Sequence, residues 1–450
     1  MAVIMTSYGS CDECQSLSDA TTTTSSNTPI GGDQSLNEEG KFRRTMRRKP
    51  HATGTMIITI IAVMAALLAL PSTRPLGNGG LPFSNIEQAS LVVLGKSSHK
   101  ETTSPRSIIV PNPHAYPRRP FILHDGCNVT LPVLGFPGVA LAPLSHLPDD
   151  QWVANAAVRH AVEDLDMSYF DVAPEYGDGV AQARLGPALK PYREHVFLAA
   201  KTMYRTAEGA VNDLNNTLHA LQTNHLDLYQ FHSISTQRDV DTILGPGGAM
   251  ETFQLAKKQG KIKAIGFSAH SEPMALQMIQ SGLVDTCMFP INFVSWHYGG
   301  VGPQVLQAAI QHKVGVIALK AGARGRLTSE TGNVAHIPDT PFQHIPEWKR
   351  HEELDFGVRT SKAHPTEWYE PEDDPIALNN LILWSLHQPG VTAVLPPGSL
   401  ELLDGISELL RGKSEVPPFD ERNIPQMLER YKDIVPIFHN RSEAGTKVST

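Results

Sequence analysis

The sequence predicts an α/β fold, eight strand–helix units closed into a (β/α)8 TIM barrel, and three observations carry that prediction. First, short apolar runs rich in β-formers recur along the chain, each followed by a helical pattern. Second, eight such runs and eight such helices can be counted, enough for a parallel sheet to close on itself. Third, polar residues stand at the ends of successive runs: Asp171 in MSYFDVA, Lys201 at the end of HVFLAAK and His232 at the end of LDLYQFH. Tyr176 follows Asp171 in the loop APEYG. The carboxyl ends of barrel strands form one mouth, so these side chains are expected to converge there.

Taken in order, strand one is LPVLGF, 131–136, with its helix near 149–164. Strand two is 167–172 with helix 178–190, and strand three is 195–200. The helix after strand three is TAEGAVNDLNNTLHALQT, with Thr206 as N-cap and Val211, Leu214, Leu218 and Leu221 as an apolar stripe at helical spacing. Strand four is 226–231 with helix 248–260; strand five is 262–267 with helix 272–281; strand six is 285–289 with helix 301–312. Strand seven is 314–319 and its helix, 375–388, comes late. Strand eight is 391–396 with helix 399–411. The connection 321–374 far exceeds the usual loop length and carries Phe342, Trp348, Phe356, Trp368 and Tyr369, so it reads as a lid or substrate-specificity loop, with a packed surface excursion as the alternative.

The N-terminal part is organised differently. Residues 1–54 are Ser/Thr-rich and aperiodic, a disordered tail that ends in the basic stretch KFRRTMRRK. The uncharged run TMIITIIAVMAALLAL follows, and residues 55–71 read as a single transmembrane signal-anchor, with a cleaved signal peptide as the alternative. The positive-inside bias places the barrel on the non-cytosolic side, or in a lumen or secreted if the segment is cleaved. A Pro/Gly-rich stalk, 72–118, leads to the barrel, 119–435, and a tail, 436–450. The chain has a net charge of −8 and no basic face, which argues against nucleic acid. Cys11 and Cys14 lack a second pair for a zinc site, and four cysteines in all do not make a disulfide scaffold. No heptads are visible, so a monomer is the default.

Asp171, Tyr176, Lys201 and His232 suit carbonyl reduction. A hydride arriving at a carbonyl carbon requires a proton at the oxygen, and a phenol is a poor donor near neutral pH unless its anion is stabilised. Lys201 supplies that stabilisation, Asp171 holds Lys201 charged, and His232 orients the substrate oxygen. Taken alone, each of these side chains reads more simply as a solvated strand end or a core cap.

The segments YFDVAPEYGDG, REHVFLAAKT, LHALQTNHLDLYQFHS, GKIKAIGFSAH, VGVIALKAGARGRL and LILWSLHQPGVTAVLPPGSLELLD resemble the aldo-keto reductase family over roughly residues 125–430. The resemblance implies a barrel that binds a nicotinamide dinucleotide without a Rossmann domain, and it maps the family's catalytic tetrad onto Asp171, Tyr176, Lys201 and His232. It implies further that the nicotinamide amide is held after strand five and at strand six. There Ser268 is present, but Ala269 and Met288 replace the family's Asn and Gln, with His270 and Asn292 as substitutes. The pyrophosphate is expected at the ends of strands seven and eight, on Lys320, Gly322, Gly325, Gly398 and Ser399, with Arg324 or Arg326 near a 2′-phosphate. NADPH is the expected cofactor, with NADH open, and no metal is expected. The resulting expectation is an NAD(P)H-dependent oxidoreductase acting on a small carbonyl substrate. The alternatives are a cofactor-binding regulatory barrel with little turnover and a hydrolase using Glu175 and Asp171, which leaves Lys201 and His232 unexplained.

Overall fold

In the computed structural model, residues 109–142, 150–334, 359–364 and 366–439 are described. An antiparallel hairpin comes first, β1 (Arg118–Ile122) and β2 (Asn128–Pro132). The βα alternation then begins with β3 (Phe136–Pro137) and α1 (Asp150–Arg159), followed by β4 (Tyr169–Asp171) and α2 (Val180–Leu189). Next come β5 (Phe197–Thr202) with α3 (Ala207–Ala220), and β6 (Leu226–Ile234) with α4 (Gln237–Leu244) and α5 (Ala249–Lys258). The series continues with β7 (Ile262–Ala269) and α6 (Glu272–Gln280), then β8 (Thr286–Phe289) with α7 (Phe293–Gly299) and α8 (Pro303–His312). After β9 (Gly315–Leu319) come four short strands, β10 (Ala323–Gly325), β11 (Gly332–Val334), β12 (Arg359–Ser361) and β13 (Glu370–Pro371). The chain closes with α9 (Pro375–Leu386), β14 (Val391–Leu395), α10 (Leu400–Leu410) and α11 (Ile424–Tyr431).

Eight strands form one sheet in the order β14-β9-β8-β7-β6-β5-β4-β3. A parallel bridge between Leu134 and Val394 joins its two edges, with Gly135 N–H on Val394 O at 3.1 Å and Val394 N–H on Val133 O at 2.9 Å. The barrel is therefore closed and leaves no open sheet edge.

The two-residue side-chain period of a strand sorts the core. Tyr169, Ala199, Leu228, Ala264, Met288, Ile317 and Ala393 cluster inside the barrel, joined by Phe121, Leu123, Cys127 and Leu131 of the β1–β2 hairpin. Their neighbours Phe170, Leu198, Tyr229, Phe267, Cys287, Val316 and Val394 pack outward against the helices. The same alternation puts Asp171, Lys201, Gln230 and Ser268 on the inward row toward the carboxyl ends of their strands. Gly266 also lies on that row; a Cβ there would stand 2.3 Å from Thr286 Oγ1 and 3.1 Å from Gln230 Cγ, so only glycine leaves Gln230 its place.

Four sequence expectations need correction. Residues 131–136 are not one strand: Leu131 and Pro132 belong to the hairpin, and the barrel strand starts at the Leu134 bridge. The run reads as continuous because both pieces are apolar, and periodicity cannot see the change of partner. Two helices, not one, follow β6, and an extra helix, α7, follows β8. Thr206 does cap α3, accepting the Gly209 N–H at 3.3 Å, but Val211 of the expected stripe is 40% exposed. The barrel does not end at 435, because Ile437 and Phe438 are buried in its core.

Residues 55–71, like the whole of 1–108, lie outside the described residues. Among the described residues no helix is long and apolar enough to cross a membrane. The chain divides into two units, Met1–Ala20 with Ser107–Thr450, which holds every described residue, and Thr21–Arg106, which lies outside the described residues. Phe342, Trp348 and Phe356 of the long connection also lie outside them.

Candidate active site

Asp171 ends β4, Lys201 lies in β5 and Gln230 in β6, and the parallel register aligns Lys201 with Gln230. The Asp171 carboxylate and the Lys201 ammonium form a direct ion pair, each side chain almost wholly buried. Gln230 Nε2 donates to the second Asp171 oxygen at 3.2 Å. Such a pair is held together by having no alternative, since removing either partner strands a buried charge at a cost of about 3–5 kcal/mol. Burial works against the Lys201 charge, but Asp171 and Tyr176 outweigh it and hold the ammonium above its ordinary range. We take Asp171 as ionised, because a partner ammonium bonds it directly.

Tyr176 comes from the loop after β4. Lys201 Nζ donates to its hydroxyl oxygen at 3.3 Å and lies 5.0 Å from its ring centroid. An ammonium only donates, so the phenol oxygen accepts this bond and its own hydrogen is directed elsewhere. Burial pushes the Tyr176 phenol up to about 12, with Lys201 pulling the other way. Lys201 thus acts on Tyr176 in the expected direction, and burial outweighs it.

His232, in the last turn of β6 toward the mouth, completes the set, its ring edge-on to Tyr176 with centroids 5.9 Å apart. Its Nδ1 lies 2.6 Å from Glu175 Oε2. All four predicted residues therefore meet at one place, and the structure adds Gln230, which sequence reasoning did not assign to the site, and Glu175, which it considered only for a hydrolase. Gln230 was legible as a polar residue inside an apolar strand. Glu175 was legible as the neighbour of Tyr176, but its partner stands 57 residues away, a distance no local pattern spans.

The residues expected to hold a dinucleotide behave differently. Ser268 Oγ accepts the Ser233 N–H at 2.8 Å, and His270 stacks on Phe438 with centroids 4.9 Å apart. Asn292 is 1% exposed, caps α7, and its amide donates to Lys320 O at 2.9 Å and Ala323 O at 2.7 Å. The same bonds join the β8 and β9 ends. Gly322 and Gly325 are close approaches to protein; a Cβ would meet Leu378 Cδ1 at 2.6 Å and Ile434 Cγ2 at 2.4 Å respectively. Neither position has room for a side chain.

Gly398 and Ser399 stand where β14 runs into α10, and Lys320 stands at the end of β9. Here the Gly398 N–H is bonded by the Glu367 carboxylate, from the long connection after β9. Glu367 is 4% exposed, with Tyr369 hydrogen-bonded to it. Burial raises its pKa, while Gly398, Tyr369, Lys320 and His364 all pull it down. The neighbouring Trp368 and Tyr369 rings lie under the Lys320 ammonium, 4.8 and 5.7 Å from its nitrogen. At Glu367 burial outweighs those four groups, and the Gly398 N–H is met in this structure by the protein's own carboxyl group. Arg324 and Arg326 are exposed beside it. Among the described residues no group of acidic, His and Cys side chains could hold a metal ion. An open depression lined by Lys190, Arg193, His219 and Asn224 lies before β5 and β6, at the end of the barrel away from the tetrad.

The aldo/keto reductase family model matches residues 146–358, the stretch that contains the whole tetrad. The chain carries an aldo-keto reductase domain. The aldo-keto reductase YhdN of Bacillus subtilis is 27% identical over 278 residues, covering 57% of this chain and 80% of that protein. The methylglyoxal reductase YeaE of Escherichia coli is 32% identical over 179 residues, 38% of this chain and 59% of that protein. Among solved structures, an aldo/keto reductase from Klebsiella pneumoniae in complex with NADP and acetate is 19% identical with a TM-score of 0.45, covering 72% of this chain and 98% of its own. The holo form of the aldo-keto reductase AKR11C1 from Bacillus halodurans is 17% identical with a TM-score of 0.47, covering 73% and 99%. The long connection after β9 is the source of Glu367, Trp368 and Tyr369, which lie just beyond the matched stretch.

Proposed function

We propose that the protein is an NADPH-dependent carbonyl reductase, converting an aldehyde or ketone to the alcohol. The observation that carries this reading is the Asp171–Lys201–Tyr176 chain: a buried ion pair whose ammonium donates to the phenol oxygen and leaves the phenol proton free for a substrate. The cofactor supplies the hydride when bound. Lys320, the Gly398 N–H, Ser399, Arg324 and Arg326 are the groups that would hold its phosphates, and the carboxyl oxygen that the Gly398 N–H already meets supports that assignment. Tyr176 O–H passes its proton to the substrate oxygen, Lys201 stabilises the phenolate left behind, and Asp171 with Gln230 keeps Lys201 charged and in place. The name of the Escherichia coli relative makes methylglyoxal a first substrate to try.

Incubating the full-length protein with NADPH deuterated at the transferring position and methylglyoxal or 4-nitrobenzaldehyde tests this. Deuterium on the former carbonyl carbon is the expected result. NADPH binding with no deuterium transfer to any carbonyl in a broad panel sinks the reading. It would favour a second one, a cofactor-binding barrel with little turnover, for which the internal use of Ser268 and the replacements Ala269 and Met288 speak.

A further inference from the structure

One titratable group beside the tetrad has no part in the reaction as described: Glu175, immediately before Tyr176. Its side chain is 9% exposed and that of His232 is 16%, and Oε2 lies 2.6 Å from Nδ1. We propose that Glu175 is a positioning residue that takes the Nδ1 proton of His232 in a hydrogen bond and keeps the ring doubly protonated, so that His232 meets the substrate oxygen as a charged N–H donor. The inference rests on the carbonyl-reductase reading for the identity of that oxygen.

The argument is one of donors and acceptors. An ionised carboxylate has no proton to give, so Nδ1 carries the hydrogen of this contact. A neutral ring with hydrogen on Nδ1 has a bare lone pair on Nε2, which repels a carbonyl oxygen. Only the imidazolium offers an N–H on both sides, and an adjacent buried carboxylate is what stabilises it. The root of the ring is fixed as well. Arg205 Nη2 donates to the His232 carbonyl at 2.5 Å, and Arg205 Nε is paired with the buried Asp239 at 2.6 Å.

Other charged and titratable groups face the pair from every side. Lys201 on β5 and Asp171 on β4 lie behind Tyr176 and neutralise one another. Arg205, after β5, is neutralised by Asp239 of α4. Tyr229 on β6 feels the Glu175 charge, His270 after β7 lies 3.5 Å from Ser233 Oγ, and Tyr369 faces Tyr176. Lys201 and Arg205 each have a carboxylate of their own, and Glu175 is the carboxylate bonded to the ring. A charged second donor matters here because Tyr176, pushed up to about 12 by burial, is a weak acid on its own.

The test uses full-length protein with 15N-labelled histidine, the His232 signals being assigned by their loss in His232→Gln. Both ring nitrogens of wild-type His232 are expected to be protonated at neutral pH. In Glu175→Gln the ring should lose its second proton at lower pH than wild type, while Glu175→Asp retains the wild-type behaviour. In steady-state reduction of 4-nitrobenzaldehyde, Glu175→Gln should lower kcat/KM roughly tenfold, the difference between a charged and a neutral hydrogen bond. Its activity should fall at lower pH than in wild type, and NADPH affinity by fluorescence titration should stay unchanged. A singly protonated wild-type ring at neutral pH overturns the proposal whether or not the variants fold, and so does a Glu175→Gln ring that titrates with wild type. A doubly protonated ring in a protein that reduces no carbonyl supports the proton assignment and sinks the carbonyl-reductase reading instead.

Discussion

The mouth of the barrel has two corners built on opposite plans. In the tetrad corner every polar group sets another: Gln230 orients Asp171, Asp171 holds Lys201, Lys201 donates to Tyr176, and Glu175 holds His232. These side chains sit on strands or one short loop. In the proposed dinucleotide corner, at the ends of β7, β8, β9 and β14, the groups are bonded to the protein itself. Asn292 ties loop carbonyls together, Ser268 holds the Ser233 N–H, and Glu367 covers Gly398. The difference is that the tetrad is already assembled, whereas on the proposed assignment a dinucleotide would exchange its contacts for ones the protein now makes itself, among them that of Glu367 with Gly398.

The largest effect expected from breaking the first corner is that of Tyr176→Phe. It should lower carbonyl reduction by about 10²–10⁴-fold, the usual scale for a general acid, while NADPH binding survives. Lys201→Met should lose activity on the same scale of about 10²–10⁴-fold. It should also destabilise the fold by about 3–5 kcal/mol, because Asp171 is left buried without its cation. A denaturation midpoint measured beside kcat/KM separates the two effects, and an unchanged midpoint would show that Asp171 is neutral or rehydrated in the variant.

The pH dependence sharpens the same comparison. Reduction uses the protonated phenol, and a phenol pushed up to about 12 keeps its proton at every lower pH. Tyr176 should therefore produce no fall in kcat/KM for reduction across the neutral range, and any fall seen there belongs to the Glu175–His232 pair. The reverse oxidation of an alcohol needs the phenolate, so its rate should climb with pH up to the alkaline limit of protein stability. An oxidation rate that levels off at neutral pH would show that the phenol titrates far lower when cofactor is bound.

Smaller effects belong to the second corner and to the scaffold. Glu367→Gln keeps an acceptor for the Gly398 N–H but removes the charge that competes with a phosphate. NADPH should bind about threefold to tenfold more tightly, as for the loss of one charged contact. Weaker binding in that variant would mean that Glu367 serves the bound cofactor rather than opposing it. Thr206→Ala removes the cap of α3 and should cost about 1 kcal/mol without touching kcat.

The tetrad corner was legible in the sequence because it obeys a local rule. A charged residue at the end of an apolar run is conspicuous, and parallel strands bring successive run ends to one level, which is how Asp171, Lys201 and His232 could be placed together before any coordinates. The dinucleotide corner was not legible, because glycines and amides say nothing about their partners. Gly322 and Gly325 look like a phosphate cradle in a one-dimensional reading, yet they make room for Leu378 and Ile434. The run from Leu131 to Phe136 fails for a related reason: apolar character persists while the strand's partner changes from the hairpin to the barrel. Phe438 lay beyond the last recognisable helix, and only its packing on His270 shows that the barrel extends that far.

The most direct test of the account is a paired measurement on full-length wild-type protein and Tyr176→Phe, with NADPH affinity by fluorescence and NADPH consumption in the presence of methylglyoxal. Equal affinity in the two proteins, with consumption in the wild type that collapses in the variant, is the predicted result. Equal consumption in both would contradict it, because the proton would then come from a group other than the phenol that Lys201 and Asp171 are built around.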